Sequence, residues 1–98
     1  MEITKTQNGA SLVVALSGRL DTTTAPTLEA ELSTALDGIN DLVFDFDKLE
    51  YISSAGLRIL LATQKTMNKQ GKMVVKNACA DIKEVFDVTG FSDILTVE

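Results

Sequence analysis

The alternation of short apolar runs with helical segments is the feature that most restricts the fold of this chain. Three runs of strand type, residues 11–16, 42–46 and 72–76, are each followed by a segment whose apolar residues recur every three or four positions. Strands that are joined through a helix lie parallel, because a tight turn reverses the chain direction. The pattern therefore predicts an α/β domain, in which the run 42–46 is buried on both faces of the sheet.

The two ends of the chain add to this sheet. Asn8-Gly9 is typical of a hairpin turn, so residues 2–7 are expected to form an antiparallel edge strand beside residues 11–16, a strand that Gly18 would end. Residues 94–97 are either a last short strand or an extended tail. We therefore expect a mixed, mostly parallel sheet of four to five strands with an antiparallel edge hairpin strand, covered by three to four helices.

The helices are marked by the residues at their ends. Threonines 22–24 offer N-caps for the first helix, and Asp37-Gly38 closes it. Gly71 ends the second helix and Gly90 the third. The residues that define the three stripes are Ala25, Leu28, Leu32, Ala35, Leu36 and Ile39; then Leu57, Leu60, Leu61, Gln64 and Met67; then Ile82, Val85, Phe86 and Thr89.

The composition excludes several classes of function. The chain has no histidine, which removes a Ser-His-Asp triad, a phosphohistidine carrier and an imidazole-bound metal. Nine basic and fourteen acidic residues give a net charge of −5, which argues against binding to nucleic acid or to an anionic membrane. The single cysteine cannot form an internal disulfide, and no apolar run is long enough to insert into a membrane. We expect a cytoplasmic acidic domain that holds no cofactor and no metal.

Two loops lie at the edge of the sheet where function is expected. In parallel sheets, binding sites form at the carboxyl ends of the strands, and here these ends lead into residues 18–24 and 47–54. Asp47, Lys48 and Glu50 are expected to lie in a solvated loop. The second loop is therefore the one in which chemistry is sought.

Two serines stand where this second loop enters the second helix. A hydroxyl at Ser53 or Ser54 would lie beside unpaired backbone N–H groups and the positive end of the helix dipole, so a phosphate there would be stabilised. The small residues Ala55 and Gly56 would let a partner's active site approach. The alternative is that a serine only caps the helix and that Gly56 only permits close packing. The residues alone leave both interpretations open.

The segment Ile52-Ser53-Ser54-Ala55-Gly56-Leu57 resembles the signature of the STAS domain of bacterial anti-sigma factor antagonists. The resemblance extends over nearly all 98 residues and includes the turn 18–21 and the strand 44–46. It implies a single STAS domain spanning residues 1–98. It also implies phosphorylation of the serine two positions before the glycine, which is Ser54. Many relatives carry aspartate immediately before this serine, whereas this chain carries Ser53, which is therefore the second choice.

This resemblance implies a regulatory switch rather than an enzyme. The unmodified chain, a monomer when free, would bind an anti-sigma factor that is itself a serine kinase of the GHKL ATPase type. The kinase would phosphorylate Ser54 and release the chain, and a PP2C-type phosphatase would reverse the modification. The alternative is a scaffold subunit that is never phosphorylated and binds a transporter ATPase, with Ser54 as a cap or contact only. The expected partner-binding residues are Asp21, Thr22, Thr23, Ser53, Ser54, Ala55, Gly56, Leu57 and Arg58.

Two of these residues have a simpler interpretation as well. The resemblance places Asp21 near the phosphoacceptor, where it would position the serine or contact the kinase, but an aspartate before a threonine-rich segment also begins a turn. Arg58 would hold a phosphate or influence partner choice, or it is a solvated helix charge. The sequence leaves both roles open for Asp21 and for Arg58.

Overall fold

Four strands and three helices follow one another in the order that the sequence pattern predicts. The computed structural model describes all 98 residues. The strands are β1 (Glu2–Asn8), β2 (Ser11–Leu20), β3 (Asp41–Ile52) and β4 (Lys72–Lys76). The helices are α1 (Ala25–Ala35), α2 (Ser54–Gln70) and α3 (Ala80–Thr89), and a short 3-10 turn (Phe91–Asp93) follows α3. No helix combines the length and the apolar character that a membrane span requires.

The sheet has the strand order β1-β2-β3-β4. The β1–β2 pair is antiparallel and forms the predicted hairpin, in which Gly9 takes a φ of +63°, while the other pairs are parallel. Residues 94–97 form neither the predicted short strand nor a fully extended tail: Ile94 has helical φ and ψ at the end of the 3-10 turn, and Val97 makes one isolated parallel bridge to Val75. The Glu98 N–H donates to the Val75 carbonyl at 2.8 Å. The mixed, mostly parallel α/β sheet is thus confirmed.

All three helices lie on one face of this sheet. Because the strands lie in chain order, each right-handed crossover turns in the same sense and returns its helix to the same side. Along β3, Leu42, Phe44 and Phe46 are fully buried, whereas Val43 and Asp45 between them are only half-buried. The prediction that residues 42–46 are buried on both faces is therefore wrong. The side of the sheet without helices is called the open face below.

The strands β2 and β3 extend further than the sequence pattern indicates. Gly18, predicted to end β2, lies within the strand with a φ of +91°. Residues 47–52, predicted as a loop, complete β3, although Asp47, Lys48 and Glu50 are exposed as expected. Two β-bulges in β3 explain why residues 47–52 lack the alternating pattern of a strand, since each bulge inserts one extra residue opposite β2. Across the bulged region, the buried residues of β3 recur at every third position, at Phe46, Leu49 and Ile52.

The core lies between the helices and the covered face of the sheet. The stripe residues of the three helices are largely buried there, including Leu28 and Leu32 of α1 and Ile82 and Phe86 of α3. Leu36 and Ile39 are buried as well, although α1 ends at Ala35, before the predicted stop at Asp37-Gly38. The second and third helices end directly before Gly71 and Gly90, as predicted.

Among the glycines, Gly71, between α2 and β4, has the closest neighbouring atoms. A Cβ added at Gly71 would lie 1.9 Å from the carbonyl oxygen of Asn40. That oxygen accepts a hydrogen bond from the Lys72 N–H at 3.0 Å, so it cannot move away without loss of the contact. Glycine is therefore required at position 71, because any Cβ would clash with the backbone of Asn40.

We expect Gly71→Ala to lower the free energy of unfolding by about 2–4 kcal/mol, because the new methyl group meets rigid backbone. Urea denaturation measures the change. Gly9→Ala is the matched control: no atom lies within 4 Å of the added Cβ, and only the left-handed φ of +63° opposes it. That variant should lose about 1 kcal/mol. Equal losses in the two variants would contradict the steric explanation.

Candidate functional site

The carboxyl ends of β2 and β3 bring the two predicted loops together. Leu20 and Ile52 are paired as the last residues of these strands, and the Ser53 N–H donates to the Leu20 carbonyl at 2.9 Å. Asp21 follows Leu20 and Ser53 follows Ile52, so the loop before α1 and the start of α2 are neighbours. The structure therefore joins the two segments that the sequence pattern singled out separately.

The two serines occupy different environments. Ser53 is the N-cap of α2, with extended φ and ψ of −97° and 176°, and its Oγ accepts a hydrogen bond from the Gly56 N–H at 3.4 Å. Ser53 is half-buried, whereas Ser54, the first residue of α2, is exposed and forms no side-chain hydrogen bond. The capping role thus belongs to Ser53. The Ser54 hydroxyl is free.

Gly56 allows α2 to begin directly against the sheet. A Cβ at Gly56 would lie 2.7 Å from Cγ of Leu20 and 2.8 Å from Cγ1 of Ile52. Gly56 and Leu57 are both buried, so among the predicted partner-binding residues these two position the loop and offer little contact surface. Ala55 is half-buried, and Arg58 is exposed on the next turn of the helix.

Asp21 organises the loop before α1. Its Oδ1 accepts hydrogen bonds from the Thr23 hydroxyl at 2.7 Å, the Thr23 N–H at 3.0 Å and the Thr24 N–H at 3.2 Å. The Thr23 hydroxyl, assisted by these two N–H groups, holds the pKa of Asp21 below its ordinary value, although desolvation opposes the shift. The turn interpretation of Asp21 is confirmed, and its carboxylate already has partners within its own loop.

The threonines near Asp21 do not cap α1 in the predicted way. Thr24 occupies the N-cap position, but its side chain makes no capping hydrogen bond. Its hydroxyl instead accepts from the Asp21 N–H at 2.8 Å and donates to the Arg19 carbonyl at 2.8 Å, which ties the loop back to β2. Thr22 and Thr23 are exposed beside it. They remain available as contact surface.

Arg19 and Tyr51 form a pair that the sequence pattern did not indicate. They lie opposite each other on β2 and β3, and the Arg19 guanidinium carbon is 4.1 Å from the centroid of the Tyr51 ring. Arg19 Nε also lies 3.7 Å from Oδ2 of Asp21. Both residues fall in segments that were predicted as loops, so their pairing could not be foreseen. The one available signal was an aromatic residue directly before Ile52 and the serines.

A comparison with protein families identifies the domain. Residues 2–98 match the model of the STAS domain. The chain belongs to the STAS domain family. The resemblance drawn from residues 52–57 is thereby confirmed, and the segment that carries it is the junction of β3 with α2 described above.

Two relatives that are similar along nearly the whole chain carry names of anti-sigma factor antagonists. BtrV of Bordetella bronchiseptica, provisionally named an anti-sigma factor antagonist, is 36% identical over 99% of this chain and 85% of its own length. The anti-sigma-B factor antagonist of Bacillus subtilis is 29% identical, covering 93% of this chain and 84% of that protein. Both relatives are thus named as antagonists of anti-sigma factors.

Solved structures share the fold. An anti-sigma factor antagonist from Mycobacterium paratuberculosis superimposes with a TM-score of 0.87, at 27% identity, over 98% of this chain and 83% of that one. Unphosphorylated SpoIIAA, also an anti-sigma factor antagonist, superimposes with a TM-score of 0.78, at 18% identity, over 99% of this chain and 87% of its own. At that identity, the likeness to SpoIIAA is one of fold.

The division of roles between the two serines predicts different effects on stability. Ser53→Ala removes the cap of α2 and should lower the free energy of unfolding by about 0.5–1 kcal/mol. Ser54→Ala removes a free, exposed hydroxyl and should change it by less than about 0.5 kcal/mol. Urea denaturation of the two variants compares neighbouring residues with the same chemical change. A larger loss for Ser54→Ala would reverse the assignment of the cap.

The lowered pKa of Asp21 predicts a pH-dependent contribution to stability. Because the ionised carboxylate is favoured in the folded state, its contribution is present above the unfolded-state pKa and is lost as the pH falls through the folded-state pKa. Wild type should therefore exceed Asp21→Asn in free energy of unfolding at pH 6, and the difference should shrink below about pH 4. Urea denaturation of both proteins at pH 6 and at pH 3 measures this difference. A difference that is the same at pH 6 and pH 3 would contradict the prediction.

Proposed function

We propose that this STAS domain is an anti-sigma factor antagonist whose binding is switched by phosphorylation of Ser54. Unmodified, it binds an anti-sigma factor and thereby frees a sigma factor; phosphorylated, it is released. The observation that carries the proposal is the exposed Ser54 hydroxyl at the first position of α2, which has no hydrogen bond to give up. Ser53, the second candidate, is half-buried and engaged as the cap.

A phosphate at Ser54 would act mainly on the interface with the partner. It adds about −1.5 to −2 charges and three strong acceptors to a surface that the partner contacts as a neutral hydroxyl. On the domain itself, the same charge lies at the N-terminus of α2, where a negative charge is favoured. A loss of about 1.4 kcal/mol of binding free energy weakens the complex tenfold, so one phosphate is sufficient to release it.

The proposed partners follow from the direction of the switch. The anti-sigma factor is a kinase of the GHKL ATPase type that uses its own ATP, and a PP2C-type phosphatase restores the hydroxyl. The domain supplies the acceptor and the docking surface and has no catalytic role, acting as a monomer in the cytoplasm. Asp21, Thr22 and Thr23 extend the contact surface, since their loop adjoins the start of α2.

The scaffold alternative, a subunit that binds a transporter ATPase, is less well supported. The relatives that match most of this chain are named as antagonists of anti-sigma factors. Because the cap is Ser53, a scaffold would leave Ser54 the role of a contact only. The switch gives the exposed Ser54 hydroxyl a specific role as the phosphate acceptor.

Incubation of the domain with its cognate anti-sigma factor and ATP, followed by mass spectrometry, tests the proposal. Wild type and Ser53→Ala should gain one phosphate, and Ser54→Ala none. Titration calorimetry should show at least about tenfold weaker binding of the phosphorylated protein. Ser54→Ala should bind the anti-sigma factor as the unmodified wild type does, which controls for folding. Phosphate that persists in Ser54→Ala would move the site, and equal affinity of both forms would remove the switch.

A further inference from the structure

The helix α2 differs in charge from the rest of the domain. None of the fourteen acidic residues of the chain lies between Ser54 and Gln70, whereas Arg58, Lys65 and Lys69 do. The chain as a whole has a net charge of −5. The neighbouring helix α1 shows the opposite composition, with Glu29 and Glu31 and no cation. The positive charge of α2 is thus a local property in an otherwise acidic molecule.

The three cations of α2 share one exposed side of the helix. Arg58, Lys65 and Lys69 are separated by seven and four residues, so at 3.6 residues per turn their side chains fall within an arc of about 40°. All three are exposed, and no carboxylate lies within 4.0 Å of any of them. These residues are called the basic stripe. Their charges are not neutralised within the domain.

The basic stripe is continuous with the phosphorylation site. Ser54 lies four residues before Arg58, within the same side of α2, and the distance from Ser54 to Lys69 along the helix is about 22 Å. Between the cations lie Leu61, which is half-buried, and Ala62, which is small and exposed. This side of the helix therefore presents three positive charges with a small apolar surface between them, and Ser54 lies at one end.

We propose that the basic stripe docks an acidic surface of the same protein that binds the Ser54 end of α2, the anti-sigma factor. This inference rests on the proposed function and extends its interface along the helix. Complementary charge mainly accelerates association and fixes orientation, so the stripe would guide the anti-sigma factor onto Ser54. A nucleic acid is a poorer fit, because only three cations face it from a molecule of net charge −5.

Phosphorylation would act on the stripe as well as at Ser54. A phosphate at the first position of α2 stands four residues before Arg58, a spacing at which opposite charges pair on a helix surface. The added charge of about −1.5 to −2 lowers the net charge of this side of α2 from +3 to about +1. The anti-sigma factor would then lose both the fit at the hydroxyl and much of the attraction that guides it.

The association rate constant for the anti-sigma factor, measured by stopped flow at low and high salt, tests the inference. The variant is Lys65→Glu, whose new carboxylate stands four residues before Lys69, a spacing that supports the helix. The control is Lys48→Glu, which makes the same charge change at an exposed residue of β3 that is paired with Ser17 of β2 and lies outside the basic stripe. At low salt, Lys65→Glu should associate roughly tenfold more slowly than wild type and depend less on salt, and Lys48→Glu should slow by less than about threefold.

The outcomes separate this inference from the proposed function. If wild type does not bind the anti-sigma factor at all, the proposed function fails. If wild type binds and Lys65→Glu behaves as Lys48→Glu does at both salt concentrations, the stripe has no role while the proposed function stands. If wild type shifts a DNA or RNA fragment in a gel and Lys65→Glu abolishes the shift, the stripe serves a nucleic acid and the inference is overturned.

Discussion

The contact of Gly56 with the ends of β2 and β3 determines where α2 begins, and the whole site depends on it. Leu20 and Ile52 lie so close to Gly56 that no side chain fits there, and the Ser53 N–H binds the Leu20 carbonyl. With the backbone held at these points, Ser53 becomes the cap and Ser54 projects into solvent. A larger residue at position 56 would lift the first turn of α2 from the sheet. The exposure of one hydroxyl is therefore a consequence of packing in the core beneath it.

The sequential strand order has a second consequence for the site. Because every crossover returns its helix to the same face, the other face of the sheet is left open, and Arg19 and Tyr51 lie near its edge beside Asp21. The start of α2 is thus bordered by the loop before α1 on one side and by a cation–aromatic pair on another. A partner that covers Ser54 would therefore meet the Asp21 loop and this pair at the same time.

The order of the elements and the serine loop could be predicted from the sequence because both depend on local patterns. Helical periodicity identified all three helices, and the serines stand at a helix start whose glycine end, Gly71, was equally clear. The end of β3 could not be predicted, because two bulges change the spacing of its buried residues from two to three and the alternation of a strand disappears. The pairing of Arg19 with Tyr51 depends on that altered register. The separate roles of Ser53 and Ser54 depend on which residue takes extended backbone, and this is set by the tertiary contact at Gly56.

The arrangement of the two serines determines which contacts of the domain a phosphate at Ser54 would change. The cap hydrogen bond belongs to Ser53 and the carboxylate of Asp21 is engaged by Thr23 and Thr24, so a phosphate at Ser54 would replace no internal hydrogen bond of the domain. Within the domain it would find the N-terminus of α2 and Arg58, both of which favour negative charge. Phosphorylation would therefore leave the fold intact or stabilise it slightly. Any loss of affinity must then arise in the interface, where the partner meets an added charge on an otherwise unchanged surface, and no conformational change of the domain is needed to explain release.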